Sequence, residues 1–122
     1  MRAAAVGWVH QQVQAALPVG ADFYDAAQLV DIDGQLSSNR PWVKLYLPSE
    51  EGDDHPVESY LVIIDCGASG AESARATAEA IRAGLAGSVR QPSPFRRRRI
   101  TGLREGNFYR VQLTYQVNRP AT

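Results

Sequence analysis

Between Val57 and Leu85 the hydrophobic period of the chain switches once, from two to about 3.6. That switch restricts it to folds in which a helix lies against the strand it follows. The strand half, VESYLVIID, is apolar on both faces after Ser59, as expected of a central strand covered by a helix on one side. A short turn, CGAS, leads into GAESARATAEAIRAGL. Here Ala71, Ala74, Ala78, Ile81 and Leu85 form one apolar stripe, and the small alanines let the helix sit close to a sheet. Glu72, Arg75, Glu79 and Arg82 form an alternating-charge ladder on the solvent side, worth a few tenths of a kcal/mol per pair. Ser69 followed by Glu72 has the spacing of a capping box, which predicts Ser69 as the N-cap. Gly84 and Gly87 are expected to stop the helix.

The flanking sequence supplies the remaining elements. Val6, Val9, Val13 and Ala16 or Leu17 recur at helical spacing, predicting a helix from about Arg2 to Leu17 that ends at Pro18. Trp8 lies off that stripe, either under a loop or at an interface. The segment from Ala21 to Asp25 reads as a short extended piece, and Asp31 to Asn39 as a loop of turn formers. PWVKLYLP alternates Val43, Leu45 and Leu47 against Trp42, Lys44 and Tyr46, a strand bracketed by prolines. After Gln91 comes PSPFRRRRI, and Ile100 to Arg104 pairs across Glu105-Gly106 with a last alternating strand. That strand sets Tyr109, Val111, Leu113, Tyr115 and Val117 on one face. The expected fold is α+β, a mixed or antiparallel sheet of about four strands packed with two helices. The order is α-β-β-α-β, with extra short strands near Phe23 and Ile100. At 122 residues, this reads as one domain over residues 1–122.

A single cysteine, Cys66, excludes an intramolecular disulfide framework and fits a reducing compartment. The apolar start of the chain is broken by His10, Gln11, Gln12 and Gln14, unlike the core of a signal peptide, and no run suits a membrane span. A soluble protein made in the cytosol is expected. The net charge is zero, but the distribution is polar. Residues 1–65 carry ten acids and three bases and residues 66–122 three acids and ten bases, giving −7 and +7. Such a split suits an acidic surface meeting a basic one on a neighbouring copy, or cancels in space within one compact fold.

No arrangement of residues in the chain suits catalysis. Ser69 stands where a nucleophile elbow would be, but Gly67-Ala68-Ser69-Gly70-Ala71 fails G-x-S-x-G at its last position. Cys66 lacks the arginine of a C-x5-R phosphate loop, because Glu72 occupies that position; a half-buried structural cysteine is expected. Gly67 and Gly70 fit no phosphate-binding signature. Asp31-Ile32-Asp33-Gly34 lacks the later ligands of a calcium loop, and His10 and His55 have no partner at ligand spacing. No catalytic residue, cofactor or metal is expected. Arg96, Arg97, Arg98 and Arg99 are the strong local charge signal. They could contact nucleic-acid phosphates, although in a regular strand they would alternate faces and only half would reach one surface. A solvated loop or a partner's acidic surface is the alternative.

Over almost its full length the organisation of the chain resembles the tail terminator proteins of long-tailed, lambda-like bacteriophages, with relatives in siphophages and gene-transfer particles. The resemblance is carried by the helix ending before Leu17-Pro18-Val19-Gly20, then Phe23-Tyr24-Asp25 and the strand entry Pro41-Trp42-Val43. It continues through Leu61-Val62-Ile63-Ile64-Asp65 into Ala74 to Leu85, and ends on the strand Tyr109 to Val117. It implies a virion structural protein, not an enzyme, located in the tail or neck and assembled in the host cytoplasm. Such a protein forms a ring, expected to be hexameric, that caps the tail tube, ends its polymerisation and joins the tail to the head connector. Its partners would be other copies of itself, the tail tube protein and neck proteins, with genome DNA passing through the ring and no membrane involved. Alternatives are another neck, connector or tail-completion protein, a small nucleic-acid-binding module using Arg96 to Arg99, or a small ligand-binding or enzymatic domain. Within the assembly reading, Glu50, Glu51, Asp53 and Asp54 and the four arginines are the candidate interface residues.

Overall fold

A computed structural model describes residues 3–25, 40–47, 57–87, 93–105 and 108–120. The elements are α1 (Ala3–Ala15), β1 (Asp22–Asp25), β2 (Trp42–Tyr46), β3 (Val57–Ala68), α2 (Ala71–Leu85), β4 (Phe95–Glu105) and β5 (Phe108–Pro120). The strands form one five-stranded sheet in the order β1-β2-β3-β5-β4. β1 runs parallel to β2, and every other neighbour is antiparallel. The α+β class with a mixed sheet and two helices is therefore as expected. The extra strands near Phe23 and Ile100 are full members of the sheet and bring it to five.

One face of the sheet is roofed by the helices. Val43, Leu45, Val62, Ile64, Cys66, Val111, Leu113, Tyr115 and Val117 share it and are buried against Val9 and Val13 of α1 and Ala74, Ala78, Ile81 and Leu85 of α2. Register places these side chains opposite one another, Val43 by Cys66, Leu45 by Ile64 and Ile64 by Leu113. Burying a side chain such as Ile81 contributes about 1.5–3 kcal/mol, so this layer is the main source of stability.

The start of α2 differs from the expected capping box. Its N-cap is Gly70, in extended backbone, with no side-chain cap hydrogen bond, and the Gly70 carbonyl accepts the Ala74 N–H at 3.1 Å. β3 runs on to Ala68, so the helix begins one residue later than the box requires and Ser69 is left outside it. Glu72 stays in the first turn, where its charge still favours the helix dipole. The buried stripe includes Thr77, which the apolar pattern missed, and Ala71 is only half-buried. Thr77 is tolerated because its hydroxyl donates to the Ser73 carbonyl at 2.9 Å.

Gly84 does not stop α2. It lies inside the helix, and a Cβ there would stand 2.9 Å from Ala16 Cα and closer still to Ala16 Cβ. The glycine therefore sets how closely α1 approaches α2, and the helix closes at Ala86. Trp8 stacks on Phe95 at 5.3 Å between ring centroids, and Phe95 meets Tyr115 edge-on at 5.9 Å. That cluster ties α1 to β4. After α1, Gly20 takes a positive φ of 89°, which glycine adopts without strain, and the chain turns into β1.

The expected charge ladder on α2 is only partly realised. Arg82 pairs with Glu79, while Arg75 lies over the Tyr109 ring at 5.5 Å and reaches its hydroxyl at 3.4 Å. The segment 31–34, His55 and the four acidic candidates Glu50, Glu51, Asp53 and Asp54 lie outside the described residues. Among the described residues no helix is long and apolar enough to cross a membrane.

Candidate assembly face

The four arginines all stand on β4, an edge strand, and they do not alternate. Arg96 lies opposite Gln116 and Arg97 opposite Tyr115, but Arg99 lies opposite Thr114, a register shift that leaves Arg98 as an inserted residue. A β-bulge of this kind puts two consecutive residues against one on the partner strand. Arg98 then turns to the same side as Gln116, its Nη1 donating to the Gln116 carboxamide at 3.3 Å. Arg96, Arg98 and Arg99 thus stand on the face away from the helices, and Arg97 alone stands on the helix side. The expectation that only half could reach one surface is overturned, because the bulge interrupts the alternation that it assumed.

A signal for the bulge was present in the sequence. Phe95 and Ile100 are both apolar yet five positions apart, so a regular strand would send them to opposite faces. In the structure Phe95 is opposite Val117 and Ile100 opposite Leu113, both on the helix side. The inserted residue reconciles the two.

On the far face Arg98 and Arg99 line an open concavity of about 570 Å³ with Leu61, Ile63, Gln112, Thr114 and Gln116. Leu61 is 41% exposed and Leu103, on the β4 rim, 37%. Apolar side chains in water beside guanidinium groups are what a protein contact needs at its centre and edge. Nearer β2 the same face is closed. Asp65 is fully buried, accepting from Arg110 at 3.3 Å and from Gln112 at 3.0 Å. Trp42 lies over Gly67, where any Cβ would collide with the indole. Sequence reading missed this polar cluster because Asp65 looked like a strand end, whereas it faces Lys44 and Gln112 mid-sheet.

The described side chains on the β3–β5–β4 part of this face include the cations Arg96, Arg98, Arg99 and Arg110 and the carboxylate Asp65, which Arg110 already neutralises. The ion pairs among the described residues are Arg40–Asp22, Arg82–Glu79 and Arg110–Asp65, and none engages Arg96 to Arg99. The concavity itself is lined by two of these guanidinium groups, Arg98 and Arg99, and by no described carboxylate.

On the helix side Arg97 joins Glu79, Arg82, Phe95 and Tyr115 around a cleft of about 420 Å³. Burial pushes the Tyr115 hydroxyl up from its usual value, and Arg97 partly offsets the shift. Cys66 lies in β3 rather than in a turn and is fully buried, not half-buried. Desolvation, with a smaller contribution from Asp65, holds its thiol up to about 12, so it stays protonated and a poor nucleophile at neutral pH. His10 packs edge-on against Phe23. Among the described residues no group of three or more His, Cys, Asp or Glu side chains gathers at metal-binding distance.

No protein-family model matches the chain, and no curated protein does. A similar solved structure is a chain of the "Virion of native gene transfer agent (GTA) particle". It is 19% identical, over 93% of this chain and 92% of that one, with a TM-score of 0.49.

Proposed function

We propose that this chain is a structural virion protein, a tail terminator subunit. In this reading, copies close into a hexameric ring that caps the tail tube, ends its growth and joins it to the head connector. The observation that carries the reading is the one-sided roof of the sheet. Among the described residues both helices cover one face, while the other presents Leu61, Ile63, Arg98 and Arg99 around an open concavity. A subunit that repeats around an axis needs a surface of this kind for a heterologous, head-to-tail contact. The passage from Leu61 to Leu85 and the closing strand Tyr109 to Val117 are where the sequence resembles tail terminators. The role is mechanical, not enzymatic, with tail tube and neck proteins as partners and the phage tail or neck as location.

Native mass spectrometry and negative-stain imaging of the purified full chain, alone and with growing tail tubes, test the reading. Annular particles, or tubes whose growth stops with the chain at one tip, are expected. A chain that neither self-associates nor binds tube ends overturns it. A second reading, a nucleic-acid-binding module, is favoured by the three arginines that the bulge gathers on one face. It predicts DNA affinity that falls steeply with salt, whereas a ring subunit that only surrounds DNA shows weak affinity.

A further inference from the structure

We propose that the cationic concavity of β3, β5 and β4 is the seat for the acidic segment Glu50–Asp54 of the next copy in the ring. This inference rests on the ring reading above and names the contact that closes it. Three arginines, Arg96, Arg98 and Arg99, stand on one face because of the bulge after Arg97, with no ion pair to them among the described residues. Between Pro48 and Pro56 the sequence is Ser-Glu-Glu-Gly-Asp-Asp-His, four carboxylates in one short stretch. It is the densest acidic stretch in the chain, as the arginine run is the densest basic one. The two supply most of the −7/+7 split between the chain halves, so the strongest charge complementarity available to this concavity lies in the chain itself.

The geometry adds specificity to the charge. Arg98 is steadied by Gln116, and Gln112, Thr114 and Gln116 provide hydrogen-bonding groups in a row along β5. Arginine forks match carboxylates in pairs, and three of them suit several acids better than one. Leu61 and Ile63 form the apolar floor at the side of the concavity. Desolvating that floor when a neighbour docks removes water from around the ion pairs and strengthens them relative to exposed surface pairs. Because donor and seat lie on one chain, each copy presents one of each, as a closed head-to-tail ring requires.

Two full-length variants test the pairing by native mass spectrometry at low ionic strength. One reverses the seat (Arg98→Glu with Arg99→Glu) and the other reverses the segment (Glu50→Lys, Glu51→Lys, Asp53→Lys and Asp54→Lys). Each alone is expected to lose oligomers while keeping its melting temperature within a few degrees; Arg98 and Arg99 are exposed, outside the buried layer. Mixed in equal amounts they are expected to regain them, as rings in which the two variants alternate. Oligomers that persist in either variant alone overturn the pairing and leave the ring reading standing. Oligomers lost in both and not regained on mixing also overturn it, because a contact within one copy cannot be rescued in trans. A wild-type chain that never associates, alone or on tail tubes, overturns the ring reading and the pairing with it. Reversed seats that keep their oligomers but lose DNA binding assign the arginines to nucleic acid instead.

Discussion

Single residues in this fold carry roles that their types conceal. Glycine within a helix ordinarily costs about 1 kcal/mol relative to alanine, yet Gly84→Ala should destabilise this protein by about 1–3 kcal/mol. The added methyl would press on Ala16 where the two helices touch. Thermal melts decide the sign, and a gain in stability would show that α1 does not lie so close. Ser69→Ala should fall within about 0.5 kcal/mol of wild type, because Gly70 and not Ser69 opens α2; a loss of 1 kcal/mol or more would restore the cap. The raised Cys66 thiol sets a pH dependence with a definite sign. Its folded value of about 12 lies above the unfolded 9.0, so its contribution is complete below about pH 9 and is lost as pH rises toward 12. Tyr115 acts in the same direction. Denaturant titrations across that window should show falling stability, and Cys66→Val should flatten part of the fall. Thiol reagents should label Cys66 in denaturant and leave the native protein untouched at neutral pH.

At the scale of elements, patterns with a period of two or of about 3.6 were legible, and departures from period were not. The β5 alternation, the β3 double-sided run and the α2 stripe could be read because burial on one side repeats at fixed spacing. The boundary at Ser69 was misplaced because a capping motif in sequence does not say whether the preceding strand has ended. Of the candidate interface, the charge was legible and its arrangement was not. Alternation would have split Arg96 to Arg99 evenly, and the bulge depends on how β4 registers against β5. Deleting Arg98 removes the inserted residue and leaves Phe95 and Ile100 four positions apart, so a regular ladder keeps both on the helix side and the Phe95 stack with Trp8 intact. The deletion should therefore melt close to Arg98→Ala, which keeps the bulge and changes only the exposed side chain. A loss well beyond that of Arg98→Ala would show that β4 depends on the bulge itself and not on the register it preserves. The Asp65–Arg110 pair was hidden for a similar reason, since it is formed across strands far apart in the chain. Arg110→Ala should cost about 3 kcal/mol, as expected when one partner of a buried pair is removed.

For the whole molecule, the strand order also sets a sequence of events in time. β4 and β5 are chain neighbours, so their hairpin closes early, on a scale of about 1–10 μs. The central seam is slower, because Val57 must find Pro120 and Ala68 must find Tyr109, with α2 and β4 strung between them. Substitutions along that seam should slow refolding, while Gly84→Ala, at a contact between helices, should mainly speed unfolding; stopped-flow measurements separate the two. The arginines ride on the early hairpin, whereas Leu61 and Ile63 reach the same face only when β3 docks. A copy still being folded therefore shows its charge before it has its apolar footing, and it can draw a neighbour close without yet holding it.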